Sequence, residues 1–253
     1  MIPDYEANTV YISVWLERDY NEVYTALIKI FKKHRIAYGI IPATKDVWCR
    51  DYMPLQLDAD RYLCYTYRPD YLLKKSCDSK YITDSIEVSK YMGINVKKSS
   101  LVIDGGNVVK IGDKAIMTEK VFYENSGVSS KWLKRKIQNH LECEVVFIPW
   151  DKYEIYGHSD GIVKPLSDTT VLMTNYQDYD KEYSKEVVKR LSKKFEIEML
   201  SYNVEKKDSR SWAYINFLTV GNLIVLPVFN IEEDEQALSQ IKLYYPNCIA
   251  IVR

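Results

Sequence analysis

Five amphipathic helical patterns recur along this chain at nearly equal intervals, and this repeat limits the folds that the sequence can adopt. The predicted helices begin near positions 21, 84, 129, 180 and 233, so the mean interval is 53 residues. Short β-rich segments follow the helices, among them IAYGII, VVFIP, EIEML and CIAIV. A unit of this size cannot bury its apolar face alone, so we expect the units to pack against one another.

The predicted helix ends carry capping signals. Asn21, Asp84, Ser129 and Asp180 stand at the start of apolar stripes with helical periodicity. Their short side chains can accept hydrogen bonds from the free N–H groups of a first turn, which predicts these residues as N-caps. Gly93 is expected to end the second helix, because glycine readily adopts the left-handed conformation found at helix C-termini.

Pairs of strand-like runs lie between the β-rich segments and the helices that come next. The pairs are PLQLD with RYLCYTY, NVVKIG with KAIMTEK, GIVKPL with TTVLMTN, and YINFLTV with NLIVLPV. Gly112-Asp113 and Gly221-Asn222 are the predicted turns of two of these hairpins. The repeating unit is therefore read as helix, strand, loop and hairpin. We predict an α/β fold with five modules arranged around an axis as in a propeller, forming a single domain over residues 1–253. The last module is expected to be incomplete, because the hairpin that should follow CIAIV is missing before Arg253.

Residues suited to chemistry collect in the loop that precedes each hairpin. The first three loops read KDVWCRDYMP, VIDGGNVV and YGHSDGIV. The spacing from Asp51 to Asp104 is 53 residues and from Asp104 to His158 is 54, which matches the helix repeat. Equivalent loops of pseudosymmetric modules meet at one end of the axis, so these side chains are expected to converge on a small-molecule site. The candidate residues are Trp48, Asp51, Asp104, His158 and Asp160.

Each loop also has a simpler interpretation. Arg50 is expected to form an ion pair with an acid, and DGGN and GHSDG are both typical of plain turns. The common spacing favours a shared site over three unrelated turns. Carboxylates without basic partners favour a cationic ligand, and a planar guanidinium offers five donors to them. Trp48 could give an aromatic face to the cation, while His158 and Asp160 could move a proton. A metal is the competing ligand, but only one candidate histidine is present and no metal-binding spacing occurs.

Composition excludes several other classes. The 35 basic and 35 acidic residues give a net charge of zero, which argues against a nucleic-acid partner. No apolar run is long enough to span a membrane, and no signal peptide is visible, so the expected location is the cytoplasm.

The five cysteines form no CxxC pair and are expected to be buried hydrophobes. His34 and His140 lie at predicted helix ends and are expected to be structural or solvent-facing.

The loop motifs resemble those of the agmatine deiminase and Porphyromonas-type peptidyl-arginine deiminase family, part of the guanidine-modifying (pentein) superfamily. WCRDYMP is similar to the family's WxRDxGP, with Met53 where glycine is usual. IDGGN is similar to (E/D)GGN and GHSDG to GHxDG, while SWAYINFLTVGNLIVLPVFNIEEDEQAL resembles a further family segment. The resemblance covers nearly the whole chain and implies the five-module propeller of the pentein fold.

The resemblance also implies an activity, which is the hydrolysis of a small guanidine to a ureido product and ammonia without a cofactor. In that mechanism a cysteine thiolate attacks the guanidinium carbon and forms a covalent intermediate. Carried over to this sequence, His158 is the general acid and base. Asp104 and Asp160 bind and orient the guanidinium, Asp51 adds a carboxylate contact, and Trp48 lines the pocket. Agmatine as substrate would imply a place in putrescine formation. A homo-oligomer is compatible with the sequence.

The resemblance implies a nucleophilic cysteine in the last module, and none of the five cysteines takes that place. Two further steps of 54 from His158 lead to about position 266, beyond Arg253. Cys49 is expected to point away from the site by strand alternation, and Cys248 to be buried in a strand. We expect a further C-terminal segment to carry the nucleophile. The alternatives are an inactive pentein that binds guanidino ligands, a peptidyl-arginine deiminase, and an amidino-transfer enzyme.

Overall fold

Four three-stranded sheets and one two-stranded sheet form the β-structure of residues 1–74 and 78–252, the part of the chain that the computed structural model describes. The strands are β1 (Thr9–Ser13), β2 (Ala37–Ile41), β3 (Leu55–Gln56), β4 (Tyr62–Thr66), β5 (Val96–Val102), β6 (Val109–Ile111), β7 (Lys114–Thr118), β8 (Glu144–Ile148), β9 (Val163–Pro165), β10 (Thr170–Met173), β11 (Glu196–Met199), β12 (Leu218–Val220), β13 (Leu223–Val228) and β14 (Cys248–Val252). The α-helices are α1 (Val14–Asp19), α2 (Asn21–His34), α3 (Cys49–Tyr52), α4 (Asp70–Leu73), α5 (Ser85–Tyr91), α6 (Lys120–Glu124), α7 (Ser130–Leu141), α8 (Lys181–Leu191) and α9 (Asp234–Tyr244).

Each three-stranded sheet consists of a hairpin and the strand that follows the next long helix. For example, β7 pairs antiparallel with β6 and parallel with β8, and α7 is the crossover between them. The four predicted hairpins are confirmed, but the predicted boundaries of the module are wrong by one strand. The strand after each helix closes the sheet of the preceding hairpin, because a helical crossover returns the chain parallel to the strand it left. The loop to the next hairpin therefore passes from one sheet to its neighbour.

The sheet with only two strands among the described residues lies at the N-terminus. Strand β1 pairs in parallel with β2 from Thr9 opposite Ala37 to Ser13 opposite Ile41. The sequence pattern predicted neither β1 nor α1, since this short segment precedes the first clear periodic pattern. With the corrected module boundaries, β14 takes the third position beside β12 and β13, so the sheet with two described strands is the first one and not the last.

The helix boundaries largely follow the predicted capping signals. The side chains of Asp84, Ser129 and Asp180 accept hydrogen bonds from first-turn N–H groups, so these three N-caps are confirmed. Gly93 adopts a φ of +68° just after α5, which confirms it as the helix stop. The cap predicted at Asn21 is wrong. Tyr20 takes the N-cap position there, and Asn21 is the first helical residue.

Apolar contacts connect neighbouring modules in sequence and then connect the last described sheet to the first. Buried clusters join the second and third sheets, the third and fourth, and the fourth and fifth. A fourth cluster packs Val220, Leu223 and Val225 of the fifth sheet against Leu27 and Ile30 on the apolar face of α2. The succession returns to its start, which is the α/β propeller arrangement expected from the repeat. No helix within residues 1–74 and 78–252 is both long and apolar enough to cross a membrane.

Candidate active site

The connections between neighbouring sheets meet at one end of the molecule. Helix α3 contacts the 3-10 turn Gly105–Asn107, which contacts the turn Ser159–Gly161, and this in turn contacts the 3-10 helix Ser209–Ile215. The expected convergence of equivalent loops is therefore confirmed. They surround a cavity of about 320 Å³, which we call the site cavity. Trp48, Asp51, His158 and Asp160 all line it.

His158 is held between two carboxylates on opposite sides of its ring. Its Nε2 lies 3.0 Å from Oδ2 of Asp104, and its Nδ1 lies 3.6 Å from Oδ1 of Asp51. Asp104 is fully buried and lies behind the imidazole, so it is not among the residues that line the site cavity. Asp51 is fixed in turn, because its Oδ1 accepts a hydrogen bond of 2.9 Å from the backbone N–H of Gly106. A carboxylate that orients an imidazole in this way also stabilises its protonated form.

The glycine pair of the DGGN loop is required by the close approach of these groups. A Cβ at Gly106 would lie 2.6 Å from Oδ1 of Asp51, 2.6 Å from Nδ1 of His158 and 3.1 Å from Oδ2 of Asp160. A Cβ at Gly105 would lie 2.0 Å from the carbonyl oxygen of Arg50. Neither site has room for a side chain, so the two glycines allow three modules to bring their polar groups together. The simpler interpretation of DGGN as a plain turn is therefore incomplete.

The cluster of carboxylates changes the protonation of its members. Burial by itself lowers the pKa of His158, but the charge of Asp51, the hydrogen bond to Asp104, and the charges of Asp104 and Asp160 outweigh it and raise that pKa to about 9. Burial raises the pKa of Asp51 to about 7, with the charge of His158 opposing and those of Asp160 and Asp104 adding to the rise. These shifts favour the protonated form of His158 at neutral pH and bring the pKa of Asp51 up into the neutral range.

Arg50 joins the site to the N-terminal segment through two ion pairs. Its Nε lies 3.0 Å from Oδ2 of Asp160, and its Nη1 lies 2.9 Å from Oδ2 of Asp4. Its Nη2 also donates to the carbonyl oxygen of Val108. The predicted ion pair of Arg50 is confirmed, and one of its partners is a site residue. Burial alone would raise the pKa of Asp4, but the charges of Arg50 and nearby lysines hold it at about 2.

Aromatic and acidic residues that the sequence analysis did not select complete the wall of the site cavity. The aromatic residues are Tyr71, Tyr156, Tyr176 and Trp212, and the acids are Asp151 and Glu154. Trp212 could have been found, because it lies 54 residues after His158 and continues the same spacing. Nothing in the repeat marks the others. Trp48 stands at the rim, where its side chain is 53% exposed.

No cysteine within residues 1–74 and 78–252 lines the site cavity. Cys49 is the cysteine nearest in sequence to the cavity-lining residues of the first loop. It belongs to helix α3, so the strand alternation expected there is wrong. Its thiol lies 3.3 Å from the hydroxyl oxygen of Tyr52, away from the cavity. Cys64 and Cys248 are buried as expected, Cys143 is half-buried, and Cys77 lies outside the described residues.

The remaining polar candidates have other roles. His34 is exposed at the end of α2, and Nδ1 of His140 lies 3.0 Å from the hydroxyl oxygen of Ser99. Both are structural or solvent-facing as expected. No group of three or more histidine, cysteine, aspartate or glutamate side chains in the described ranges has the arrangement of a metal site.

The family model for Porphyromonas-type peptidyl-arginine deiminase matches residues 2–252. The chain belongs to this family. It is therefore a guanidine-modifying pentein, as the loop motifs indicate. No curated protein sequence matches the chain significantly.

Solved structures of members of this superfamily share the fold of the chain. The agmatine deiminase of Enterococcus faecalis is 16% identical with a TM-score of 0.75, and the match covers 100% of this chain and 89% of that one. The C. jejuni agmatine deiminase is 14% identical with a TM-score of 0.70, covering 99% and 89%. The DDAH of Pseudomonas aeruginosa is 14% identical with a TM-score of 0.61, covering 98% and 93%. At these identities the likeness shows the pentein fold.

Proposed function

We propose that this pentein is a hydrolytic deiminase that converts agmatine or a related guanidine to its ureido product and ammonia. The observation that carries the proposal is the excess of carboxylates around one imidazole. Asp51, Asp151, Glu154 and Asp160 line the site cavity, whereas the cations that line it are Arg50 and His158. Arg50 is already paired with two acids, so the cavity is suited to an incoming cation.

Two carboxylates of the site cavity, Asp51 and Asp160, would hold the guanidinium beside His158. Asp51 and Asp160 line the same cavity from the first and third of the connecting loops, and both can accept hydrogen bonds from the N–H groups of a planar guanidinium. Trp48 offers an aromatic face at the rim. We assign Asp104 to the orientation of His158 instead of contact with the substrate, because Asp104 is fully buried and its Oδ2 lies 3.0 Å from Nε2.

His158 is suited to act first as an acid and then as a base. A thiolate would add to the guanidinium carbon, and the protonated His158 would give a proton to the departing nitrogen, which leaves as ammonia. The product of this step is a thiouronium ester. Neutral His158 would then take a proton from a water molecule that adds to the same carbon. Collapse of the tetrahedral adduct expels the thiolate, and the hydroxyl proton of the adduct passes to solvent. This leaves the ureido product, with the thiolate and the protonated His158 restored.

The nucleophile of this proposal is a cysteine that lies outside residues 1–74 and 78–252, since no cysteine there lines the cavity. The same observation favours a second candidate function, which is the binding of guanidino ligands without turnover. The two candidate functions share the proposed guanidinium site. They differ only in whether a nucleophilic cysteine lies near His158.

Two further acids on the cavity wall favour a substrate whose other end is also a cation. Asp151 accepts a hydrogen bond from the hydroxyl of Tyr176, and Glu154 accepts one from the N–H of Gly157. These acids lie with aromatic rings on the cavity wall, an arrangement that suits an ammonium group. Agmatine has an ammonium at that end, whereas free arginine adds a carboxylate that the acids would repel.

Initial rates of ammonia release from agmatine, arginine and an N-acylated arginine amide test this proposal. We expect kcat/KM to be highest for agmatine, and Asp151→Asn with Glu154→Gln to reduce its advantage over arginine. His158→Ala, which keeps the carboxylates, should bind agmatine and release no ammonia. A preference for the acylated arginine would overturn the agmatine assignment in favour of a peptidyl-arginine deiminase. Binding of agmatine by the unaltered protein without ammonia release would instead establish the non-catalytic alternative.

A further inference from the structure

A buried lysine lies behind the His158–Asp104 pair and has no part in the proposed reaction. Lys120 is the first residue of α6 and its side chain is 1% exposed. Its Nζ donates to the carbonyl oxygen of Tyr156 at 2.7 Å and lies 3.0 Å from Asp70, 3.1 Å from Glu124 and 3.6 Å from Asp104. An ammonium removed from water needs such partners, and here they come from four different segments of the chain.

Lys120 and His158 share one oxygen atom of Asp104. Both Nζ of Lys120 and Nε2 of His158 face Oδ2, whereas Oδ1 has no hydrogen-bond partner among the described residues. Two cations that face one carboxylate oxygen compete for it, and each also repels the other. The carboxylate consequently holds the imidazole proton less tightly than it would alone.

Lys120 also fixes the segment that leads into His158. Gly157 has a φ of +65°, and a Cβ there would lie 2.3 Å from Nε1 of Trp150 and 3.0 Å from Cδ of Lys120. The segment is thus packed directly on the lysine side chain. Two hydrogen bonds fix the backbone of this segment. The carbonyl oxygen of Tyr156 accepts one from Nζ of Lys120, and the carbonyl oxygen of Gly157 accepts one of 2.6 Å from the hydroxyl of Thr118.

We propose that Lys120 is a positioning residue that shares Oδ2 of Asp104 with His158 and so limits how tightly the imidazolium proton is held. The inference rests on the acid–base role proposed for His158. A general acid must release its proton during the reaction, and the carboxylates around His158 all oppose that release. Lys120 is the cation that offsets them from behind Asp104.

The charges facing these two residues come from every neighbouring element, and they support this assignment. Burial opposes the charge of Lys120, but Glu124, Asp104 and Asp70 raise its pKa above the usual lysine value, so it stays protonated at neutral pH. The groups that face Lys120 or His158 are Asp51 from α3, Asp70 and Tyr71 from α4, Asp104 after β5, Glu124 from α6, Tyr156 before His158, and Asp160 after it.

Titration of His158 by NMR tests the assignment in two variants of the full chain. Lys120→Met leaves Glu124 as an unpaired buried carboxylate and threatens folding, so it is combined with Glu124→Gln and compared with Glu124→Gln alone. The single variant keeps the lysine beside Asp104, and the double variant does not. We expect the pKa of His158 to be higher in the double variant by roughly one unit, as the loss of a charge within about 7 Å predicts.

Lys110→Met is the matched control, because Lys110 is a largely buried lysine whose Nζ donates to the carbonyl of Gln56 and faces neither His158 nor Asp104. It should leave the titration unchanged. Lys120→Gln with Glu124→Gln is the second test, since glutamine can still donate to Tyr156 but carries no charge. An unchanged or lowered pKa of His158 in both double variants would overturn the proposal. The titration needs no substrate, so its result is independent of whether the protein hydrolyses guanidines.

Discussion

The replacement of Gly106 by alanine tests whether the three modules meet as closely as the structure indicates. The new methyl group would lie 2.6 Å from both Oδ1 of Asp51 and Nδ1 of His158. Ordinary contacts of carbon with such atoms are about 3.5 Å, so each neighbour must move by almost 1 Å. These neighbours are not free to move. The backbone N–H of Gly106 donates a hydrogen bond to Asp51, and Asp104 contacts the opposite side of the His158 ring.

We expect Gly106→Ala to lower the free energy of unfolding by about 1–3 kcal/mol, the usual effect of an added methyl group in a tightly packed region. Agmatine affinity should fall at least tenfold, because the displaced groups are those proposed to hold the guanidinium. Urea unfolding measures the first quantity and isothermal titration calorimetry the second. Gly127→Ala is the matched control, since a Cβ there meets nothing within 4 Å.

The control should be neutral or slightly stabilising, as expected for Gly→Ala at an unstrained site. If Gly106→Ala matched Gly127→Ala in both stability and affinity, the convergence of Asp51, His158 and Asp160 on Gly106 would be refuted. Loss of stability without loss of affinity would place the binding site elsewhere.

Three further predictions concern the charges of the site. Because the pKa of His158 is raised to about 9 in the folded state, the folded state binds more protons than the unfolded state between about pH 6.5 and pH 9. The contribution of this residue to the free energy of unfolding is therefore complete below about pH 6.5 and is lost as pH rises to 9. Urea unfolding at several pH values should show that decline. The variant His158→Gln should remove most of the decline. Arg50→Met should lower the free energy of unfolding by about 1–3 kcal/mol, because it removes one ion pair each from Asp160 and Asp4. Lys164 remains 3.9 Å from Asp4, and the 35% exposure of the arginine lets solvent screen part of the loss. A smaller loss than in a surface Arg→Met control would contradict this. Agmatine binding near pH 7 should release protons, because a guanidinium favours the ionised form of Asp51, whose pKa is raised to about 7. Calorimetry in buffers of different ionisation enthalpy detects this release. Asp51→Asn should abolish it.

The repeat of the sequence predicted the propeller and the convergence of its loops. Equal spacing places equivalent residues of successive modules at the same end of an axis, and this was sufficient to join Asp51, Asp104 and His158. It was insufficient to place the module boundaries. The strand after each helix has the same sequence pattern whether it pairs with the preceding hairpin or with the following one. Only the parallel pairing, such as that of β7 with β8, shows to which sheet it belongs.

The residues that the sequence did not indicate are those whose role depends on tertiary contacts. Lys120 follows an ordinary strand and begins a five-residue helix, and no local pattern shows that its ammonium is enclosed by acids. Asp4 likewise reaches Arg50 across 46 residues. Asp104 was expected to lie beside Asp51 and His158, and its carboxylate does contact His158, but its complete burial behind the imidazole could be learned only from the packing of the turns.

The most direct test of the central claim is the fate of agmatine incubated with the protein in ¹⁸O-labelled water. Hydrolysis at the carboxylate-lined cavity predicts equal amounts of ammonia and ureido product, with one ¹⁸O atom in the ureido group and no reaction in His158→Ala. Unchanged agmatine, or a ureido product without the label, would contradict the claim that this site hydrolyses a guanidinium.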